Sequence, residues 1–444
     1  MLMTTLRIVL LPFIIIFIFF NATAQNTLYF PPLSGNTWQT TAPADLDFCA
    51  ERIDSLYAFL AEKNTKSFIL LKDGKIVLEK YFGAFVQDSI WYWASAGKSL
   101  TGFLVGQAQD EGLLQIEDRT DQYLGAGWTS APPDKEALIT LWHQLTMTSG
   151  LDDTFIPTPT EPDPNTCTDP ECLNYLVDAG TRWGYHTGAY RLLQDVIAEA
   201  SGMTINLYTK NRLLDRVGMK GLWINDVFYS KARDMARFGL LTLAQGRWGN
   251  DTLLRDEQYF YNMTHPSQDL NKSYGYLWWL NGQESFMLPG LQLQIPGKIC
   301  PNGPDDMIAA LGKNDQKIYV VPSKGWVVVR QGNASGYTGI GGDAVPILFD
   351  NALWGYLNEL ECGAVSTLEA NGEKELVYPN PGNMQWQIAG DTTPDRVEVY
   401  GADGQLLQTL QHTGIVPASQ FPAGVYLLKI IRGDVVNMQR VVRR

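Results

Sequence analysis

Runs of like charge are missing from this chain. Its 444 residues carry 34 Lys and Arg against 47 Asp and Glu, a net charge of −13. No stretch of Lys or Arg is long enough to form a basic stripe, which excludes a general nucleic-acid binder. The acidic balance favours solubility and implies no acidic partner. Histidine is scarce, with His143, His186, His265 and His412 the only four. None falls in His-Glu-x-x-His, and Cys-x-x-Cys spacing is absent, so neither a metal nor a cofactor is expected. Gly-x-Ser-x-Gly is absent too. Ser95 lies in Trp93-Ala94-Ser95-Ala96-Gly97, which lacks the first glycine that a Ser-His-Asp esterase elbow needs. His143, inside a helical run, reads as structural and not as a base. Long apolar runs are limited to Ile8–Phe20, well short of the roughly 20 residues of a spanning helix. Arg7 precedes that run and Ala22-Thr23-Ala24 follows it. Residues 1–24 therefore read as a signal peptide cleaved before Gln25, and the mature chain as exported, without a membrane span.

What is present is globular: 45% hydrophobic, 18% charged and 11% aromatic residues, too apolar for a disordered chain. Export permits disulfides. Of five cysteines, Cys167 and Cys172 bound a short loop, and Cys49 and Cys362 meet if the first and last helices of the main domain pack together; one cysteine is left over.

Residues 45–63 carry helical periodicity, with Leu46, Ile53, Leu56, Tyr57 and Leu60 on one face. Ser67–Leu71 and Ile76–Phe82 flank Asp73-Gly74 and predict a hairpin. A second pair, Lys317–Val321 and Trp326–Arg330, precedes a closing helix over Ile347–Leu360. Between the hairpins, roughly 90–265, the pattern is mostly helical, as at Leu100–Asp110, Tyr190–Ser201 and Lys231–Gln245. The fold class is thus α+β, an antiparallel sheet flanked by terminal helices plus a helical subdomain, with a site expected in the cleft between them. This domain spans 25–362. Residues 363–376 are small and polar, a linker. From 377 to 444 short β runs separated by glycine-rich turns predict a small all-β, Ig-like sandwich.

Three stretches bear chemistry. Ser95-Ala96-Gly97-Lys98 opens a helix, and residues three apart share a face, so Ser95 Oγ and Lys98 Nζ can meet. A serine becomes nucleophilic when a neighbouring group takes its proton or stabilises its alkoxide; alone, the pattern is equally that of a capping serine and an exposed lysine. In Gly180-Thr181-Arg182-Trp183-Gly184-Tyr185-His186-Thr187 a loop delivers Tyr185 and two polar neighbours, His186 and Thr187, just before a helix. A phenol beside a lysine can relay a proton; alone, a packed aromatic serves as well. In Gly312-Lys313-Asn314-Asp315-Gln316, which leads into a strand, Lys313 can hold an anionic substrate group and the strand edge can receive an oxyanion; alone, it is a polar turn.

In this order and context the three stretches resemble the penicillin-recognising serine hydrolases, and more closely the class C β-lactamase-like family, with its esterases, D-amino-acid peptidases and aminohexanoate-oligomer hydrolases. Ile139–Leu151, ending Thr146-Met147-Thr148-Ser149-Gly150-Leu151, and Ser273-Tyr274-Gly275-Tyr276-Leu277-Trp278-Trp279 add to the likeness, which covers roughly 45–360. The resemblance implies that Ser95 is the nucleophile, Lys98 its activator and Tyr185 the proton relay. It places Lys313 at the lysine of the Lys-Thr-Gly box and the oxyanion donors at the backbone N–H groups of Ser95 and Gln316. Thr187 stands where the family has Asn, Asp315 where it has Gly, and Met147 where His is usual. Asp315 is expected to reshape the cleft wall and partly neutralise Lys313, which argues against antibiotic hydrolysis. The competing class is a peptide- or glycan-binding protein without turnover, its groove lined by aromatics such as Trp278 and Trp279, although core packing suits that pair better.

The C-terminal segment carries its own resemblance. Val377-Tyr378-Pro379-Asn380-Pro381, Val397-Glu398-Val399-Tyr400, Asp403-Gly404-Gln405, Phe421-Pro422-Ala423-Gly424-Val425-Tyr426-Leu427 and a basic end, Arg440-Val441-Val442-Arg443-Arg444, look like a type IX secretion system C-terminal sorting domain. That implies passage through the periplasm, recognition by the secretion machinery, removal of the tail, and a secreted or cell-surface product.

Overall fold

The computed structural model describes residues 28–154, 166–337 and 347–362. Of the C-terminal segment it describes 377–443, apart from 379, 381, 390–391, 402–404 and 434. The expected signal peptide and the 363–376 linker lie outside the described residues.

Helix α1 is Ala50–Glu62. It leads into the hairpin of β1 (Thr65–Lys72) and β2 (Lys75–Tyr81), joined by Asp73 and Gly74, both at positive φ, as a tight two-residue turn requires. Strand β3 (Trp91–Tyr92) runs into a 3₁₀ turn over Ala94–Ala96 and then helix α2 (Gly97–Asp110). Helix α3 is Thr187–Ser201. A hairpin of β4 (Gly221–Ile224) and β5 (Val227–Ser230) precedes α4 (Ala232–Leu243). Strands β6 (Trp279–Leu280), β7 (Ile308–Gly312), β8 (Gln316–Val321) and β9 (Trp326–Gly332) follow, and α5 (Ile347–Asn358) closes the domain.

The main sheet has six strands in the order β2-β1-β9-β8-β7-β6, antiparallel throughout. Helix α4 packs on it, and α1 packs against α5. Strands β8 and β9 are buried along their whole length, as expected of central strands covered on both faces. Trp354 of α5 is fully buried and stacks on Trp326, and Phe59 of α1 stacks on Tyr356. This aromatic packing fixes the terminal helices against each other. It brings Cys49 and Cys362 together as a disulfide, with Cα atoms 5.0 Å apart. Closing a loop across 313 residues stabilises the fold by about 6 kcal/mol at most in the chain-entropy account. Cys167 pairs with Cys172, and Cys300 is a buried thiol, whose pKa burial raises.

Within the mostly helical stretch between the hairpins, β3, β5 and β4 form a separate three-stranded sheet. Asn225 and Asp226, both at positive φ, make its turn. This sheet holds the chain just ahead of Ser95: Trp93 N–H donates to Phe228 O at 2.8 Å, and Trp93 Nε1 donates to Ser230 Oγ at 2.8 Å.

The C-terminal segment forms a three-stranded and a four-stranded antiparallel sheet around its own core, with Trp386, Val397, Val399, Leu428 and Val441 inside. No helix among the described residues is long and apolar enough to cross a membrane. No group of three or more His, Cys, Asp or Glu among them is placed to hold a metal ion.

Candidate active site

Ser95 sits in the turn ahead of α2, and the residue before it, Ala94, has φ +49°, a conformation L-residues adopt only when the surroundings impose it. The surroundings are Trp93, fully buried against Phe228 and Phe238, and Gly312 of β7. A Cβ on Gly312 would stand 2.4 Å from Trp93 O and 3.0 Å from Ala96 N. Only glycine lets the strand come this close to the serine turn.

One helical turn on, Lys98 is 1% exposed. Its Nζ donates to Ser95 Oγ at 2.9 Å and to Thr187 Oγ1 at 3.4 Å. The ammonium lies 4.8 Å from the ring centre of Tyr185 and 4.1 Å from that of Tyr190, an arrangement that compensates part of its desolvation. Burial raises the Tyr185 pKa well above the ordinary phenol range, the neighbouring Ser95 offsetting part of this, and pushes Tyr190 up to about 12. Tyr185 therefore carries its proton at neutral pH. Its ring is enclosed by Trp279, stacked at 5.8 Å, by Trp183 at 6.1 Å and by Tyr274 at 6.2 Å.

The structure thus brings together Ser95, Lys98, Tyr185 and Thr187. Trp278 and Trp279, 0% and 2% exposed, are packing residues. His143 caps the short helix Leu141–Leu145 through Thr140, and burial lowers its pKa to about 4.

Three of the residues singled out in the sequence have partners that spacing did not suggest. His186, 1% exposed, accepts from Ala189 N–H at 3.1 Å as the cap of α3. Its Nε2 finds no partner among the described residues, and burial lowers its pKa to about 4. Gln316 pairs with Gly312 across the β7–β8 hairpin and opens β8. Its side chain closes the turn, donating to Asn314 O at 2.9 Å and Gly332 O at 2.7 Å. Asp315 does not neutralise Lys313. With φ +61° it turns inward, 2% exposed, accepting from Ser335 N–H at 3.0 Å and standing 3.4 Å from Lys317 Nζ. Lys313 itself is exposed at the turn.

Sequence reasoning missed two residues. Arg330, fully buried, donates to Asn314 O and Asp315 O, both at 2.9 Å, and holds the turn from below. Asp153 pairs with Arg182 at 2.5 Å behind the tyrosine loop. Neither has a local signal, because each acquires its role from partners distant in sequence.

The His186 cap gives a pH prediction. A histidine held neutral with a pKa near 4, against 6.5 unfolded, contributes stability above pH 6.5 that is lost as the pH falls toward 4. His186→Asn keeps a good capping side chain and removes this titration. Its melting temperature should fall less than the wild type's between pH 6.5 and 4.5. Equal slopes in differential scanning fluorimetry would contradict the assignment.

Comparison with known proteins shows the family. The Beta-lactamase family model matches residues 62–345, more than half of the chain, and the model for the secretion system C-terminal sorting domain matches residues 376–444. The chain belongs to the beta-lactamase family and carries a C-terminal sorting domain. Among solved structures, it is similar to a Bacillus anthracis protein assigned as a 6-aminohexanoate-dimer hydrolase, with 16% identity and a TM-score of 0.56 over 72% of this chain and 86% of that one. A protein from Bacteroides dorei DSM 17855 assigned as a beta-lactamase gives 17% identity and a TM-score of 0.56 over 70% and 99%. The octameric penicillin-binding protein homologue from Pyrococcus abyssi gives 16% and 0.50 over 88% and 89%. At these identities the likeness shows the fold alone. No curated protein matches.

Proposed function

We propose that this chain is an exported serine hydrolase that cleaves an ester or amide bond through an acyl-enzyme on Ser95. The observation that carries the reading is the 2.9 Å contact between Lys98 Nζ and Ser95 Oγ, with the Tyr185 ring 4.8 Å from the same Nζ. As Ser95 Oγ attacks the carbonyl carbon, its proton passes to Lys98, which takes part in this step as the neutral amine; the C–O or C–N bond breaks as Tyr185 gives its phenol proton to the leaving group, and Lys98 returns a proton to Tyr185. Water then adds to the acyl-enzyme and returns the proton to Ser95. The oxyanion is held by two backbone N–H groups, that of Ser95 and that of Lys313 at the strand edge. Among the described residues, strand β6 pairs with only Ile308 and Ala309 of β7, which leaves the edge beyond them uncovered beside the serine turn. This assignment replaces Gln316, and it gives Lys313 a backbone role besides any contact its exposed ammonium makes with an anionic substrate.

A fluorophosphonate probe tests the reading. Mass spectrometry should find the adduct on Ser95 of the wild type and none on Ser95→Ala; absence of label on folded wild-type protein would instead favour a binding role. The sorting domain supports export, and we propose that the tail is removed on the way. Intact-mass measurement of extracellular protein should then show a product lacking residues 377–444, and a full-length extracellular product would contradict removal.

A further inference from the structure

The loop that delivers Tyr185 is pinned from behind by two buried charges. Arg182 Nη1 lies 2.5 Å from Asp153 Oδ1, the side chains 14% and 1% exposed. The backbone N–H groups of Asp153 itself and of Tyr185 lie on the side of this carboxylate and lower its pKa. Gly184 passes against the pair. A Cβ there would stand 2.6 Å from Arg182 Nη1 and 3.0 Å from the Asp153 carboxylate, so a larger residue would have to displace the charges. Gly184 N–H in turn donates to Met147 O at 2.8 Å. Taking a carboxylate out of water is costly even when it is paired, and burial accordingly pushes the Asp153 pKa up while Arg182 pulls it back. The aromatic enclosure already packs the Tyr185 ring, so this charge adds little to packing. What it does fix is the backbone from which the ring hangs.

We propose that Asp153, with Arg182, is a positioning residue for Tyr185: it holds the Gly184–Tyr185 backbone so that the phenol stays against Ser95. The inference rests on the proton-transfer role proposed for Tyr185. A misplacement of about 1 Å in such a group can cost on the order of 10²-fold in rate.

The test compares two esters of one acid, 4-nitrophenyl butyrate and ethyl butyrate, through kcat/KM, which reports acylation. The nitrophenolate leaves without protonation, whereas ethoxide needs a proton from Tyr185. Asp153→Asn is expected to lower kcat/KM on the ethyl ester by about 10- to 100-fold and on the nitrophenyl ester by less than about threefold. Tyr185→Phe should show the same pattern, and the double variant should be no worse than Tyr185→Phe alone, because the two act through one group. If Asp153→Asn fails to fold, Arg182→Gln, at the more exposed end of the pair, gives the same comparison. Equal losses on both esters, or losses that multiply in the double variant, would mean a merely structural role and overturn the proposal. Absence of Ser95-dependent turnover in the wild type would overturn the underlying hydrolase reading and the inference with it.

Discussion

Ser95→Ala is expected to bring turnover to background, a loss of roughly 10⁴-fold or more by analogy with removal of the nucleophile in other serine hydrolases. No other hydroxyl can take over. Thr187 Oγ1 also contacts Lys98, at 3.4 Å against 2.9 Å for Ser95, but it belongs to α3, whereas the strand edge at Gly312 lies against the turn carrying Ser95. The fold should survive, because Ser95 is only half-buried and the change removes hydrogen bonds worth about 1 kcal/mol each. Turnover assays paired with thermal denaturation check both halves. Retained turnover would remove Ser95 from the mechanism, whereas lost turnover accompanied by unfolding would say nothing specific about nucleophilicity.

The main elements were legible because each rests on a local signal. The β1–β2 hairpin is written in Asp73-Gly74 between β-prone runs, and α3 in a stripe that buries Leu192, Leu193, Val196 and Ile197. The Ser95–Lys98 contact follows from spacing alone. The β4–β5 hairpin was legible in the same way, since Asn225-Asp226 separates Leu222-Trp223-Ile224 from Val227-Phe228-Tyr229, but the helices on either side dominated the reading of that stretch.

The strand box was less legible, for a physical reason. Counting from the family's pattern places Lys313 on a strand and Gln316 after the box. In the structure Asn314 and Asp315 both take positive φ, the chain reverses there, and Gln316 falls on the next strand. Asp315 replaces a glycine, yet its side chain does not enter the cleft, because the turn directs it toward Lys317 and Ser335. The departure at this position therefore alters the buried side of the turn. An argument about substrate preference has to rest instead on Thr187 and on the exposed Lys313.

The second large effect is expected at Lys98→Met, where activity and stability should part. Methionine fills nearly the volume of lysine without its charge, and Lys98 is 1% exposed between the rings of Tyr185 and Tyr190. Replacing a buried charge by an apolar group of similar shape is often neutral or stabilising, and methionine keeps a favourable sulfur–ring contact. The melting temperature should therefore hold or rise. Turnover should fall by about 10²- to 10⁴-fold, the usual worth of a group that moves the nucleophile's proton, and fluorophosphonate labelling of Ser95 should slow with it. If Lys98 only braced the helix, the variant would lose stability and activity in proportion. A stable variant that still labels at the wild-type rate would leave Ser95 activated by Tyr185 alone. The expected divergence identifies the buried ammonium as a feature kept for chemistry at a cost to the fold, as is usual where a charge is held out of water beside a reacting group.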